Sequence, residues 1–273
     1  MTSNAPHGSA LFRSLHTTTR PLALANAWDA ASARIVEAAG APAIATTSAG
    51  VAWSLGAPDG DRVSRDLALD AVARIAAAVT VPVSADIEGG HGRSPEEVGD
   101  TVTRVLEAGA VGVNIEDGTR PPGTLAARIE AARAAAGRAG ADLFVNARVD
   151  TYLLGLGDPV DRLRETLARA RTYVDAGADG VFVPGVTDPD LIGSLAEALT
   201  VPLNVMAGPG APSVPELAAL GVARVSLGSG IAQSAYAAAR DAARDLYGEG
   251  GYAPSLRQAL DYTEINDLFD TAG

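Results

Sequence analysis

The residues with chemistry to offer in this sequence fall at the ends of apolar runs. Asp86 and Glu88 are two residues apart where one run closes, so in an extended chain both side chains point to the same side. Glu116-Asp117 closes the next run, Arg148 and Asp150 follow the one after, and Asp59 lies in a loop beyond Ser48-Ala49-Gly50. Carboxylates gathered in one pocket repel each other and lose hydration, which is costly unless a cation neutralises them. The chain has no lysine and no cysteine, and of its histidines, His7, His16 and His91, only His91 lies beyond the first 16 residues. The expected neutraliser is therefore a hard divalent ion held by oxygen, Mg2+ or Mn2+. Beside it, Arg148 is suited to take a carboxylate or phosphate in a bidentate fork. Ser48 and the backbone amides of Ala49 and Gly50 are suited to cradle a further anionic group.

The same absences exclude whole classes of function. Without lysine there is no Schiff base to a carbonyl substrate or to pyridoxal phosphate, and no P-loop lysine. Without cysteine there are no thiol nucleophiles, zinc–thiolate sites, iron–sulfur clusters or disulfides. The 273 residues carry 33 acidic against 21 basic side chains, a formal charge of −12, and every basic one is arginine. That balance argues against a nucleic-acid partner. No apolar run reaches the roughly 18 residues of a spanning helix, so no membrane partner is expected. The first 20 residues hold two arginines and no acid but lack an apolar signal core. They read as an arm or a short lead-in helix of a cytoplasmic protein.

Eight short, nearly continuous apolar runs have the character of strands buried on both faces: 22–26, 43–47, 81–86, 112–116, 143–148, 180–184, 202–206 and 224–228. Alanine-rich segments of helical period lie between most of them, among them 30–39 and 66–79, and 95–108 opens with Ser94 as cap and Pro95 at the first position. Four helix ends turn at Gly40, Gly109, Gly177 and Gly221 into the next strand, the αβ half of a repeated β–α unit. The expected fold is one (β/α)8 barrel over residues 1–273, with an arm at 1–20 and a helical extension at 231–273 that caps the barrel or packs on a neighbouring subunit. An open doubly wound sheet is the alternative, and it lacks its glycine fingerprint here. In a barrel the strand C-termini form the active rim, which also receives Asn204 and the glycine loops 89–92 and 228–230. Read locally, Asp29, Asp117 and Asp150 are caps or turn residues, and Trp28 and Trp53 are packing residues.

The phrases LANAWDAASARIVEAAG, ATTSAGVAWSLGAPDG, VPVSADIEGGHG, GVNIEDG and NARVD, in this order and spacing, resemble the isocitrate lyase/phosphoenolpyruvate mutase superfamily from about Phe12 to Gly230. The resemblance implies a magnesium-dependent barrel, a dimer or tetramer with its last barrel helix exchanged between subunits. It also implies small 2-oxo or hydroxy carboxylate, or phosphonate, substrates. By position, Asp86 resembles the direct metal ligand, and Asp59, Glu88 and Glu116 the acids that hold metal-bound water. Ser48, Ala49 and Gly50 resemble the substrate-anion loop, Arg148 the substrate arginine, and Asn204 a further lining residue. The loop that carries a cysteine in the superfamily's isocitrate and methylisocitrate lyases reads Gly118-Thr119-Arg120-Pro121-Pro122-Gly123-Thr124 here, with no thiol, and Thr46 stands where those lyases have a tyrosine.

Three functions follow. The first is Mg2+-dependent cleavage of a C–C bond in a small 2-hydroxy or 2-oxo dicarboxylate through an enolate-like intermediate. The second is hydrolysis of a phosphonopyruvate- or oxaloacetate-type substrate, or phosphonate rearrangement, in the same pocket. The third is a non-catalytic barrel that binds a 2-oxo acid. The candidate catalytic set is Arg148, His91 and Arg120. Arg120 is a poor acid because it stays protonated, which leaves His91, Thr119 and metal-bound water as candidate proton donors.

Overall fold

The computed structural model describes residues 5–248, 250–252, 256–257 and 259–270. Its strands are β1 (Leu22–Leu24), β2 (Asn26–Ala27), β3 (Ile44–Thr46), β4 (Val83–Asp86), β5 (Gly112–Glu116), β6 (Phe144–Arg148), β7 (Gly180–Val183), β8 (Leu203–Met206) and β9 (Arg224–Ser226). All pairings are parallel, in the order β1-β9-β8-β7-β6-β5-β4-β3-β2. The first expected strand is thus two short ones that pair at opposite ends of the sheet, and the sheet curls into a (β/α)8 barrel through the one residue between them, Ala25. Asn26 ties this seam: its Nδ2 donates to Thr46 O at 3.0 Å and its Oδ1 accepts from Gly228 N at 3.0 Å. The open-sheet alternative is excluded.

The surrounding helices are α1 (Ala5–Ser14), α2 (Ala30–Ala38), α3 (Ser48–Ser54), α4 (Arg65–Ala78), α5 (Pro95–Glu107), α6 (Pro122–Arg138), α7 (Arg162–Asp175), α8 (Pro189–Ala198), α9 (Val214–Ala219), α10 (Gly230–Gly248) and α11 (Tyr262–Asp270). Ser94 caps α5 by accepting from Glu97 N, and Asp29 caps α2 from Ser32 N at 2.7 Å. Gly40, Gly109, Gly177 and Gly221 take φ of 94°, 93°, 107° and 88°, which lets each helix turn into its strand. Among the described residues the tail is helical as expected, forming α10 and α11 with Gly250 at φ 72° between them; positions 249, 253–255, 258 and 271–273 of the expected extension lie outside the described residues. α11 is tied to α2 by Arg34 Nε donating to Leu268 O at 2.6 Å. Trp28 and Trp53 both lie against Tyr236 of α10, at 6.4 and 6.2 Å between centroids. Among the described residues no helix is long and apolar enough to cross a membrane.

The core is layered along the barrel axis. Leucine, isoleucine, valine and alanine fill the space between strands and helices. Inside the barrel, α1 closes the floor: Phe12 meets Phe144 edge-on at 5.6 Å, and His16 stacks on Phe144 at 4.1 Å. Above them comes a belt of buried amides, Asn114, Asn146 and Asn204, with Arg224 among them. The charged rim lies above that, where Asp86 is in register with Asn114 and Glu116 with Arg148.

Candidate active site

β4 ends at Asp86, and local hydrogen bonds fix its carboxylate. Oδ2 accepts from Ser48 N at 3.1 Å, Oδ1 accepts from Glu88 N at 3.4 Å, and Asp86 N donates to Thr46 Oγ1 at 2.8 Å. The expected anion loop is therefore the first turn of α3, with the Ser48 amide committed to Asp86 and with Ala49 and Gly50 buried. Glu116 ends β5 and Arg148 ends β6; they form an ion pair at 2.7 Å, and Arg148 Nε also donates to Asp150 at 2.6 Å. Arg148 is held protonated beyond its ordinary range: burial opposes this, but Glu116, Asp150 and Asp86 outweigh it.

One arginine does not balance these acids. Burial pushes Glu116 up to about 8 despite Arg148, with repulsion from Asp86, Asp150 and Glu88 adding to the rise. Burial pushes Glu88 up to about 7, with Asp61, Asp86 and Asp59 reinforcing it against a hydrogen bond from Asp61 N. Burial also raises Asp150. Burial lowers His91, although Asp61 and Asp86 pull it the other way. The ligand atoms of Asp61, Glu88 and His91 lie within 4.8 Å of one another. A small space at Asp86 and Glu88 meets an outer cleft of about 320 Å³ across His91 and Val63, which line both. Arg120 leans over from the loop after β5, with Nη2 on Asp61 Oδ2 at 2.7 Å.

Asp86, Glu88, Glu116, Arg148, His91 and Arg120 thus gather at one rim, and Asp59 stands on an exposed loop within the electrostatic reach of Glu88. Asn204 is set apart: it is buried inside the barrel and pairs with Ser226 Oγ at 3.3 Å. Three amides of the glycine loops are already engaged within the chain. Gly90 N donates to Ile87 O, Gly228 N to Asn26, and Gly230 N to Leu227 O. Asp117 and Asp150 are turn residues, as expected: Asp117 O accepts from Arg120 N and Asp150 O from Leu154 N, both at 2.9 Å. Their side chains do more than a turn requires. The buried Asp117 carboxylate accepts from Tyr173 OH at 2.7 Å, Arg169 at 3.0 Å and Asp150 N at 3.0 Å, and Asp150 is the second anchor of Arg148. Asp61 was missed, although its position two residues after Asp59 in the same polar loop was a usable signal.

The phosphoenolpyruvate phosphomutase family model matches residues 12–247. An uncharacterized protein of Mycobacterium tuberculosis is 41% identical over 260 residues, covering 93% of this chain and 94% of its own. The 2-methylisocitrate lyase of Escherichia coli is 31% identical over 204 residues, covering 70% of this chain and 67% of its own. The crystal structure of a putative lyase/mutase from Burkholderia cenocepacia superposes with a TM-score of 0.90 at 39% identity, covering 98% of this chain and 97% of that one. With that match over most of its length, the chain belongs to the phosphoenolpyruvate phosphomutase family, within the isocitrate lyase/phosphoenolpyruvate mutase superfamily.

Proposed function

We propose that this protein is a Mg2+- or Mn2+-dependent lyase that cleaves a C–C bond in a small 2-hydroxy or 2-oxo dicarboxylate. The observation that carries the reading is the gathering of Asp86, Glu88, Glu116 and Asp150 at one rim around Arg148. Burial, reinforced by repulsion among these acids, pushes Glu88 up to about 7 and Glu116 up to about 8. All-oxygen donors of unrelieved charge fit a hard divalent cation, with Asp86 as the direct ligand and Asp59, Glu88 and Glu116 as holders of its water. When bound, such an ion supplies Lewis-acid stabilisation of the enolate-like charge that forms as the bond breaks.

The chain's own groups do the rest. Arg148, its plane fixed by Glu116 and Asp150, binds the substrate carboxylate. The start of α3 around Ser48–Gly50 orients the other end of the 2-oxo acid. Arg120, held over the rim by Asp61, stabilises charge without giving up a proton. His91 is biased toward its neutral form by burial, so its ring can hold or pass a proton beside the cleft. The same reading makes the protein a homo-oligomer, dimer or tetramer, with α10 packed on or exchanged with a neighbouring subunit. Its support is that Ala232 is the single buried residue of α10 while Leu246 and Tyr247 stand exposed.

The test is product analysis with Mg2+ on methylisocitrate, dimethylmalate, oxaloacetate and phosphonopyruvate. A 2-oxo acid and a second carboxylate released from one of the first two is the expected result. Release of phosphate from phosphonopyruvate alone moves the assignment to C–P chemistry. Metal-dependent binding with no product from any of the four leaves a binding barrel.

A further inference from the structure

The turn that carries Glu88 and His91 has an unusual backbone. Glu88, Gly90 and His91 take φ of 51°, 102° and 47°, and two of these are not glycine. For such residues the left-handed region is strained and persists only where the surroundings over-determine it. Two arginines supply that constraint. Arg128 lies on the buried face of α6 beside Leu125 and Ile129, and it has no carboxylate partner in any ion pair of the described residues. Its Nη1 donates to Gly89 O and its Nη2 to Gly92 O at 3.2 Å, so one planar fork spans the turn. On the other side the Arg120 guanidinium lies against Gly89, where an added Cβ would stand 2.8 Å from Nη1 and Nη2.

We propose that Arg128 is a positioning residue: it clamps the turn at both ends and thereby aims Glu88 and His91 into the cleft. It touches neither substrate nor metal in this role. Without the fork, Glu88 and His91 return to ordinary backbone angles and their side chains swing away from Asp61 and Asp86. The inference rests in part on the proposed metal role of Glu88.

Arg133 provides the comparison. It lies on the same helix and also ties down two carbonyls, Gly177 O at 2.6 Å and Leu143 O, but at the opposite end of the barrel. The experiment uses the full-length protein as wild type, Arg128→Met, Arg128→Lys and Arg133→Met. It reads the His91 ring by 1H–15N NMR without metal, and Mg2+ affinity by calorimetry. Arg128→Met is expected to shift the His91 resonances and weaken Mg2+ binding about 10–100-fold, the usual effect of losing outer support for a metal ligand. Arg128→Lys keeps one donor and falls between. Arg133→Met lowers Tm and moves neither readout. Unshifted His91 resonances in Arg128→Met, or an equal shift in Arg133→Met, overturns the clamp. If Arg128→Met does not fold, Arg128→Lys decides by the same criterion. If wild type binds no Mg2+, the metal reading fails, and the His91 resonances still judge the clamp.

Discussion

The two ends of the barrel use the same residue types to opposite effect. At the floor two acids, Asp179 and Asp142, meet arginines directly. Asp179 accepts from Arg13 at 2.8 Å, from Arg133 and from Val145 N, and Asp142 accepts from Arg13 at 2.6 Å, which holds its carboxyl below the usual range. At the rim, buried acids outnumber the arginines, and Glu88 and Glu116 are pushed up instead. The histidines divide in the same way. Burial and Arg224 lower His16 to about 3 in the aromatic floor, whereas at the rim Asp61 and Asp86 oppose the lowering of His91. Negative charge is paired at Asp142 and Asp179 and left unbalanced at Glu88 and Glu116.

Mutations at the two ends should therefore act on different quantities. The largest effect belongs to the floor. Phe12→Ala removes a fully buried ring and should cost about 3–5 kcal/mol of stability in urea unfolding. It should leave Mg2+ affinity unchanged, and a weakened metal site would blur the division. At the rim, Arg148→Met should weaken binding of oxalate, a 2-oxo-acid mimic, about 100-fold, within the range for losing one partner of a buried charge pair. Unchanged oxalate affinity would remove Arg148 from the substrate site.

The pH dependence of the metal-free protein separates the ends next. Glu88 and Glu116 hold protons in the folded state that the unfolded chain releases near 4.5. Their contribution is full below about 4.5 and is lost as pH rises through about 7 and about 8. His16 is depressed, so its contribution is full above 6.5 and is lost as pH falls toward about 3. Between pH 6.5 and 8 these shifts predict that Tm falls as pH rises, and Glu116→Gln should flatten that slope. Below 6.5 the depressed histidines oppose the raised carboxyls, and His16→Phe should reduce the acid-side loss, leaving the part that His91 contributes. The smallest effect is that of Asp142→Asn, whose half-exposed pair with Arg13 is worth about 1 kcal/mol or less and should fade with salt.

The strands were legible because parallel strands buried on both faces read as short apolar runs, and the runs near Asp86, Glu116 and Arg148 put those residues at one rim. The αβ turns were legible through glycine. The split of the first strand was not, because pairing partners are chosen across the barrel and Ala25 carries no local mark. Asp117 was legible as a turn residue but its second role was not: only the fold brings Tyr173 and Arg169, more than 50 positions away, to its carboxylate oxygens. Arg128 was passed over because an arginine in a polar-looking helical stretch reads as solvent-facing, and Arg224 because it opens an apolar run whose inward positions carry no local mark; both are buried.

The most direct test of the central claim is the number of protons released on Mg2+ binding, measured by calorimetry in buffers of different ionisation enthalpy. At pH 7 the wild type should bind one ion and release protons from Glu88 and Glu116. The release should vanish near pH 9, where both carboxyls are already ionised, and Asp86→Ala should bind none. Binding without proton release at pH 7, or equal binding by Asp86→Ala, would contradict the account.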